Sequence, residues 1–246
     1  MNNKYKLLAL DMDGTLLTSE QVISQGTSKW IQKAKDQGIH VCLSTGRSFG
    51  NALPYGEELG LATPMITVNG SEVWRAPHDL YHRSLMDPRL ISDMYDIAAA
   101  EGCWYWAYTV DQVYNKDNWI DEIMGNEWLK FGYHTKDDEV RHRILMKLQD
   151  MGGLEITNSS PHNLEVNPQG INKASGIQKV CELLGLEMSE VIAVGDSMND
   201  LAAIEVAGLG VAMGNAQEVV KEVADFVTAS NDEDGIAEVI QKFILI

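Results

Sequence analysis

Residues 7–17 read LLALDMDGTLL, and the fold turns on that stretch. Leu7 to Leu10 form an unbroken apolar run, and DMDGT follows at once. An apolar run that stops at acidic residues and a glycine reads as a buried strand ending in a polar turn. Strands buried on both faces carry such continuous apolar runs, which is the habit of parallel sheets. Asp11 and Asp13 then lie just past the carboxyl end of a strand, where open α/β sheets bind their ligands. With one residue between them, the two carboxylates can turn toward a common centre, and Gly14 permits the bend. Like charges placed so close call for a cation between them.

Working outward, residues 20–37 carry Val22, Trp30, Ile31 and Ala34 before Gly38, the pattern of a helix with a glycine stop. IHVCLSTGR is a second buried strand and turn, 49–59 a helix, and MITVNG a third strand and turn. The middle of the chain changes character. Residues 104–114 are rich in aromatic and β-branched types and read as one or two antiparallel strands around Val110-Asp111. Residues 119–130 and 138–149 read as helices, and 154–158 and 163–166 as short strands. The α/β alternation resumes with a helix over 171–184 and the strand VIAV leading into GDSMND. A helix over 200–206, the strand LGVAMG, the helix AQEVVKEVA, an edge strand in ADFVT and, over 235–246, a terminal helix or a helix plus tail follow. The expected architecture is an α/β Rossmann-like core of parallel sheet over 1–81 and 169–246. An α+β domain over 82–168 is inserted into it.

The chain has 246 residues, enough for one domain plus an insert of this size. Its 36 acidic and 19 basic residues give a net charge of -17, which disfavours nucleic acid and anionic membranes as partners. An anionic substrate would be repelled too, so a phosphate site must be neutralised locally. Cys42, Cys103 and Cys181 stand far apart with no CxxC pair, so core packing rather than a disulfide framework is expected. The N-terminal MNNKYKLLAL has no long apolar stretch ahead of its acids, and the expected compartment is the cytoplasm. Whether the protein is a monomer or a homodimer cannot be read from the chain.

Three further segments bear chemistry. In GDSMND (195–200), again after a strand, Asp196 and Asp200 can face the strand end and join Asp11 around a hard, oxygen-seeking ion such as Mg2+. Asn199 is placed to donate to a phosphate or to orient Asp196. In the STGR turn (44–47), the Thr45 hydroxyl, the Gly46 amide and the Arg47 charge suit a phosphate. Lys173 lies near the start of the helix where the chain returns from the insert; a lone lysine reads as a solvated surface residue, and that position is what makes it a candidate. In the insert, Tyr105, Trp106, Tyr108, Tyr114 and His134 are candidates to line a pocket. Ser159, Ser160, Asn163 and Glu165 are candidates near the returning hinge.

Together, DMDGTLL, STGR, Lys173 and GDSMND resemble the haloacid dehalogenase superfamily of hydrolases, in particular its Cof-type branch, subfamily IIB, with an inserted C2 cap. Asn69-Gly70, NLEVNPQGINKASG (163–176) and DEDGIAEVI (232–240) fit that branch as well, and the likeness runs over essentially the whole chain. The resemblance implies a Mg2+-dependent phosphatase acting through an aspartyl-phosphate. Asp11 would be nucleophile and metal ligand. Asp13 would be general acid and base, with its backbone carbonyl on the metal. Asp196 would coordinate the metal, and Asp200 would hold that site either directly or through water. Thr45, Gly46 and Lys173 would hold the phosphoryl oxygens, Asn199 would help at the phosphate side, and Arg47, not itself catalytic, would either contact substrate or fold back on the core.

The second aspartate of the first motif favours phosphoryl transfer over halide displacement in this superfamily. The position of the insert, after STGR, goes with hydrolysis of small phosphorylated metabolites. A sugar phosphate is the expected substrate, with phosphoglycolate, a nucleotide or pyridoxal phosphate as alternatives. A non-catalytic metabolite-binding or regulatory protein is the contrasting class, and it would be expected to have lost Asp11, Asp13 or Lys173.

Overall fold

The computed structural model describes residues 4–245. It divides into two compact units, Met1–His82 with Asn172–Ile246, and Arg83–Ile171. In chain order the elements of the first unit are β1 (Leu7–Leu10), α1 (Gln25–Asp36), β2 (His40–Leu43), α2 (Phe49–Glu58), β3 (Met65–Thr67), β4 (Glu72–Ala76) and β5 (Asp79–Arg83). The second unit contributes α3 (Pro88–Glu101), β6 (Trp104–Thr109), β7 (Val113–Asn115), β8 (Trp128–His134), α4 (Asp138–Met151), β9 (Leu154–Thr157) and β10 (Asn163–Pro168). The first unit then resumes with α5 (Lys173–Leu184), β11 (Val191–Gly195), α6 (Met198–Val206), β12 (Leu209–Ala212), α7 (Glu218–Val223), β13 (Phe226–Val227) and α8 (Gly235–Phe243).

Five strands of the first unit form a parallel sheet in the order β13-β12-β11-β1-β2. The apolar run that opens the chain explains why this sheet is covered on both sides. Leu8 and Leu10 point into one core cluster with Ile31, Val41, Leu43 and Ile240, while Leu7 and Ala9 point into another with Ile177, Val180 and Cys181. Successive strand residues face opposite ways, so each face needs its own apolar set. All three cysteines are buried and free.

The third expected strand departs from the simple pattern. β3 meets the parallel sheet only through a bridge between Ser44 and Ile66, and pairs antiparallel with β4. With β5 it forms a separate three-stranded sheet. The helix expected over 171–184 begins at Lys173, with Asn172 as its N-cap.

In the second unit, five antiparallel strands run in the order β7-β6-β8-β10-β9. The antiparallel strands around Val110-Asp111 are two, β6 and β7. The helix expected over 119–130 is not: 128–134 is β8, the central strand, paired with β6 and β10. Bonds to two neighbouring strands and burial of Trp128, Phe131 and Tyr133 override the weak local helix pattern. Helix α3 carries its own signals, with Asp87 accepting from the Arg89 amide, Pro88 at its start and left-handed Gly102 at its end. It packs with α4 on one side of the sheet, over a core that includes Ile91, Met94, Ile144 and Leu148.

Candidate active site

Strand register brings the chemical segments together. Leu10 is level with Val194 on β11 and with Leu43 on β2. The next residues, Asp11, Gly195 and Ser44, therefore start their loops at the same height at the carboxyl edge of the sheet. Ladder bonds continue to this point: the Asp11 amide donates to Val194 (3.1 Å) and the Ser44 amide to Leu10 (2.8 Å).

Asp11 is buried and Asp13, beyond the bend, is exposed. Gly14 takes φ +79° at that bend. The Lys173 ammonium reaches the acids from the first turn of α5, donating to Asp11 Oδ1 and to Asp200 Oδ1, each at 2.6 Å. Asp200 Oδ2 accepts the amides of Asp196 (3.0 Å) and Ser197 (3.1 Å). Both Asp200 oxygens are thus engaged by the protein. Asp196 accepts the Thr15 hydroxyl at Oδ1 (3.0 Å) and the Ser197 hydroxyl at Oδ2 (2.8 Å). Asp11, Asp196 and Asp200 each offer an oxygen within 4.8 Å of the others.

Three carboxylates share one ammonium here. Burial, then the charges of Asp200 and Asp196, push Asp11 well above the usual carboxylate range, against the pull of Lys173. Burial and Asp200 push Asp196 up to about 6. Burial would discharge Lys173, but Asp11 and Asp200 outweigh it and hold the ammonium protonated. The excess of negative charge is what a divalent cation would relieve. An all-oxygen donor set of this kind fits Mg2+.

The STGR turn is fixed from the next strand. Thr45 is buried; its hydroxyl accepts the Arg47 amide (3.1 Å), and its carbonyl accepts the Asn69 amide (2.9 Å). Val68, Asn69 and Gly70 all have positive φ, at 51°, 57° and 100°. A β-branched residue in that region is strained. The strained turn presents Asn69 Oδ1 to Asn199 Nδ2 at 3.4 Å. Asn199 therefore lies against Asn69 and does not orient Asp196. Asp200 Oδ2 and the hydroxyls of Thr15 and Ser197 surround Asp196 instead.

Arg47 forms a fork on Asp13, with Nε 2.8 Å from Oδ2 and Nη2 2.5 Å from Oδ1. The same Nη2 donates to Gln21 (2.5 Å), and the guanidinium lies 5.2 Å from the Tyr55 ring. The arginine expected either to contact substrate or to fold back on the core is a partner of Asp13.

Two residues beside the site, Ser44 and Thr15, carry no expectation from the sequence. Ser44 Oγ is buried without a hydrogen-bond partner and lines a cavity of about 10 Å3 with Asp11, Lys173 and Asp200. That volume is about the minimum for one water. Thr15 reaches across 181 positions of sequence to Asp196, a contact that no local spacing encodes.

In the second unit, Tyr105 and Tyr114 lie in the core and are not pocket residues. Trp106, Tyr108 and His134 do line a pocket there. Ser159 donates to Glu165 (2.9 Å), and Asn163 Oδ1 accepts the amides of Ser159 and Ser160 (each 3.1 Å). Among the described residues no helix is long and apolar enough to cross a membrane.

Comparison with known proteins adds to this geometry. The sequence profile of the haloacid dehalogenase-like hydrolases matches residues 8–151 and 115–240. A Bacillus subtilis protein named 5-amino-6-(5-phospho-D-ribitylamino)uracil phosphatase is 47% identical over 240 residues, covering 98% of this chain and 96% of the relative. A second B. subtilis protein of the same named activity is 34% identical over 270 residues, with 99% of each covered. A solved haloacid dehalogenase-like hydrolase from B. subtilis superposes with a TM-score of 0.88 at 26% identity, covering 97% of this chain and 100% of the other.

Proposed function

Because the chain belongs to the haloacid dehalogenase-like hydrolases and is one of their phosphatases, we propose that it hydrolyses 5-amino-6-(5-phospho-D-ribitylamino)uracil, with Asp11 as nucleophile. The observation that carries the substrate is the 47% identity over nearly the full length to a phosphatase of that named activity. The expected sugar phosphate gives way to a phosphorylated ribityl chain that bears an aminouracil. Both are primary phosphate esters on a polyol, and one mechanism serves both.

Asp11 attacks phosphorus, the bond from phosphorus to the ester oxygen breaks, and Asp13 gives its proton to the leaving oxygen. In the second half Asp13 takes a proton from water. The water oxygen attacks phosphorus, the bond to Asp11 breaks, and inorganic phosphate leaves with the Asp11 carboxylate restored. Arg47 fits the role of holding Asp13 in place between these proton transfers. Lys173 offsets charge on the phosphoryl oxygens, with Thr45 and the Gly46 amide as further donors and Asn199 beside them.

Asp11, Asp196 and the Asp13 carbonyl are the groups we assign to a Mg2+ ion, which would neutralise the phosphoryl group and draw it to Asp11. Asp200 offers an oxygen to the same site, and its hydrogen bonds hold Asp196 and Lys173 beside it. The second unit is assigned to substrate selection.

The test is phosphate release from 5-amino-6-(5-phospho-D-ribitylamino)uracil, sugar phosphates, phosphoglycolate, nucleotides and pyridoxal phosphate, with Mg2+ or EDTA. A preference for the first substrate that needs both Mg2+ and Asp11 is the expected result. Equal or better turnover of another member of the panel would overturn the substrate assignment.

A further inference from the structure

We propose that the face of the second unit's sheet turned away from α3 and α4 is a binding site for a flat, uncharged pyrimidine ring, with Trp106 and Tyr108 as its stacking floor. The choice of a pyrimidine rests on the substrate reading above. The aromatic floor rests on the sheet itself.

Along β6, Tyr105 and Ala107 point into the core beneath the helices, so Trp104, Trp106 and Tyr108 point the other way. Their cross-strand partners on β8 are His134, Gly132 and Lys130. Directly opposed residues share a face, so these six positions form one surface. Trp104, Trp106, Tyr108, Val113 and His134 line an open pocket of about 540 Å3 on it. That lies within the range of roughly 300–1,000 Å3 usual for small-molecule sites.

Gly132 sets the depth of the floor. The benzo half of the Trp106 indole rests in the space that a β-carbon at 132 would occupy. The ring is thereby seated low on the sheet, as part of the lining rather than a loose surface side chain.

The two buried charges beside the floor, Lys130 and Glu165, are paired. Lys130 Nζ lies 3.2 Å from Glu165 and 4.8 Å from the centre of the Tyr108 ring. One cation matched by one carboxylate leaves no net positive charge for a phosphate here, and the acids placed to hold a metal that could supply it, Asp11, Asp196 and Asp200, are in the other unit. A neutral ring with polar edges suits rings that stack and a paired donor and acceptor beside them. The uracil end of the proposed substrate has that chemistry, and its phosphate end does not.

The test uses the whole protein labelled with 5-fluorotryptophan, which gives one 19F resonance for each of its six tryptophans. Titration with 5,6-diaminouracil, a ring probe without phosphate, is expected to shift the Trp104 and Trp106 resonances and leave Trp30 and Trp74 in place. Trp106→Ala and Tyr108→Ala should each weaken probe binding by roughly 5- to 100-fold, and Trp106→Phe and Tyr108→Phe should retain it. Inorganic phosphate should leave Trp106 unmoved.

The proposal is overturned if the probe leaves Trp104 and Trp106 unshifted, or binds the alanine variants as tightly as wild type. The wild-type titration decides the matter even if an alanine variant does not fold. Phosphate release is scored separately. Turnover of the ribitylaminouracil phosphate without ring-induced shifts refutes the ring site alone. Ring-induced shifts without that turnover refute the substrate reading alone.

Discussion

The Lys173 ammonium stands 2.6 Å from Asp11 Oδ1, although 162 residues separate the two in sequence. Both side chains are buried. The contact joins the first strand to the first helix after the inserted unit, so it stabilises the fold as well as the site. Replacing Lys173 by Met leaves Asp11 and Asp200 buried with no cation. Loss of one partner of a buried pair costs about 3–5 kcal/mol. Urea unfolding of the metal-free variant is expected to show a loss of that order, and kcat to fall roughly 10²- to 10³-fold.

The acid cluster makes stability depend on pH in an unusual direction. Asp196 holds its proton to about pH 6 in the folded protein, against an ordinary value of 3.8. Between those values the folded state binds more protons than the unfolded chain, so stability falls as pH rises. Asp11, raised by the same burial, adds in the same direction. Without metal, the melting temperature is expected to be lower at pH 7 than at pH 5, with a shallower slope in Asp196→Asn. Added Mg2+ should raise it more at pH 7, where the carboxylates are ionised, and EDTA should reverse the gain.

Arg47 holds Asp13 through two bonds in a planar fork. Lysine keeps the charge and loses the fork. The pair is partly exposed, so Arg47→Lys should change stability by less than about 1 kcal/mol. Its effect belongs in catalysis: kcat is expected to fall about ten-fold or more, with the pH profile for leaving-group protonation displaced. An unchanged profile would remove Arg47 from the positioning of Asp13.

Gly70 has φ +100°, and a β-carbon there would strike the carbonyl of Asn172, the N-cap of the helix that begins with Lys173. The backbone conformation alone costs a non-glycine residue about 1–3 kcal/mol. Gly70→Ala is expected to lose at least that much in thermal or urea unfolding. It should also lower kcat by displacing Lys173. Gly50→Ala, where a β-carbon meets nothing, is the matched control.

Much of this was legible because the site sits where continuous apolar runs stop. LLAL, HVCL and VIAV each declare a buried strand, and the acids and hydroxyls that follow are level because the strands are in register. What stayed hidden lies between elements distant in sequence. Thr15 on Asp196, and Asn69 on Asn199, depend on loop conformations that spacing does not encode. Arg47 was legible as a charge near the site, but its partner was not, since Asp13 is 34 residues away on another loop. Residues 119–130 read as helix because their pattern is ambiguous, and only pairing with β6 and β10 makes 128–134 a strand. Helix α3 was not among the expected elements, although Asp87, Pro88 and Gly102 mark both its ends.

The most direct test of the account is to locate the phosphoryl group on the enzyme. Asp13→Asn lacks the base for the second half-reaction and also the acid for an alcohol leaving group, so with p-nitrophenyl phosphate, whose leaving group needs no proton, it should accumulate the phosphoenzyme. Acid quench after mixing with substrate, borohydride reduction and peptide mass spectrometry are predicted to find homoserine at position 11. Label at any other residue, or phosphate release by Asp11→Asn at the wild-type rate, would contradict the account.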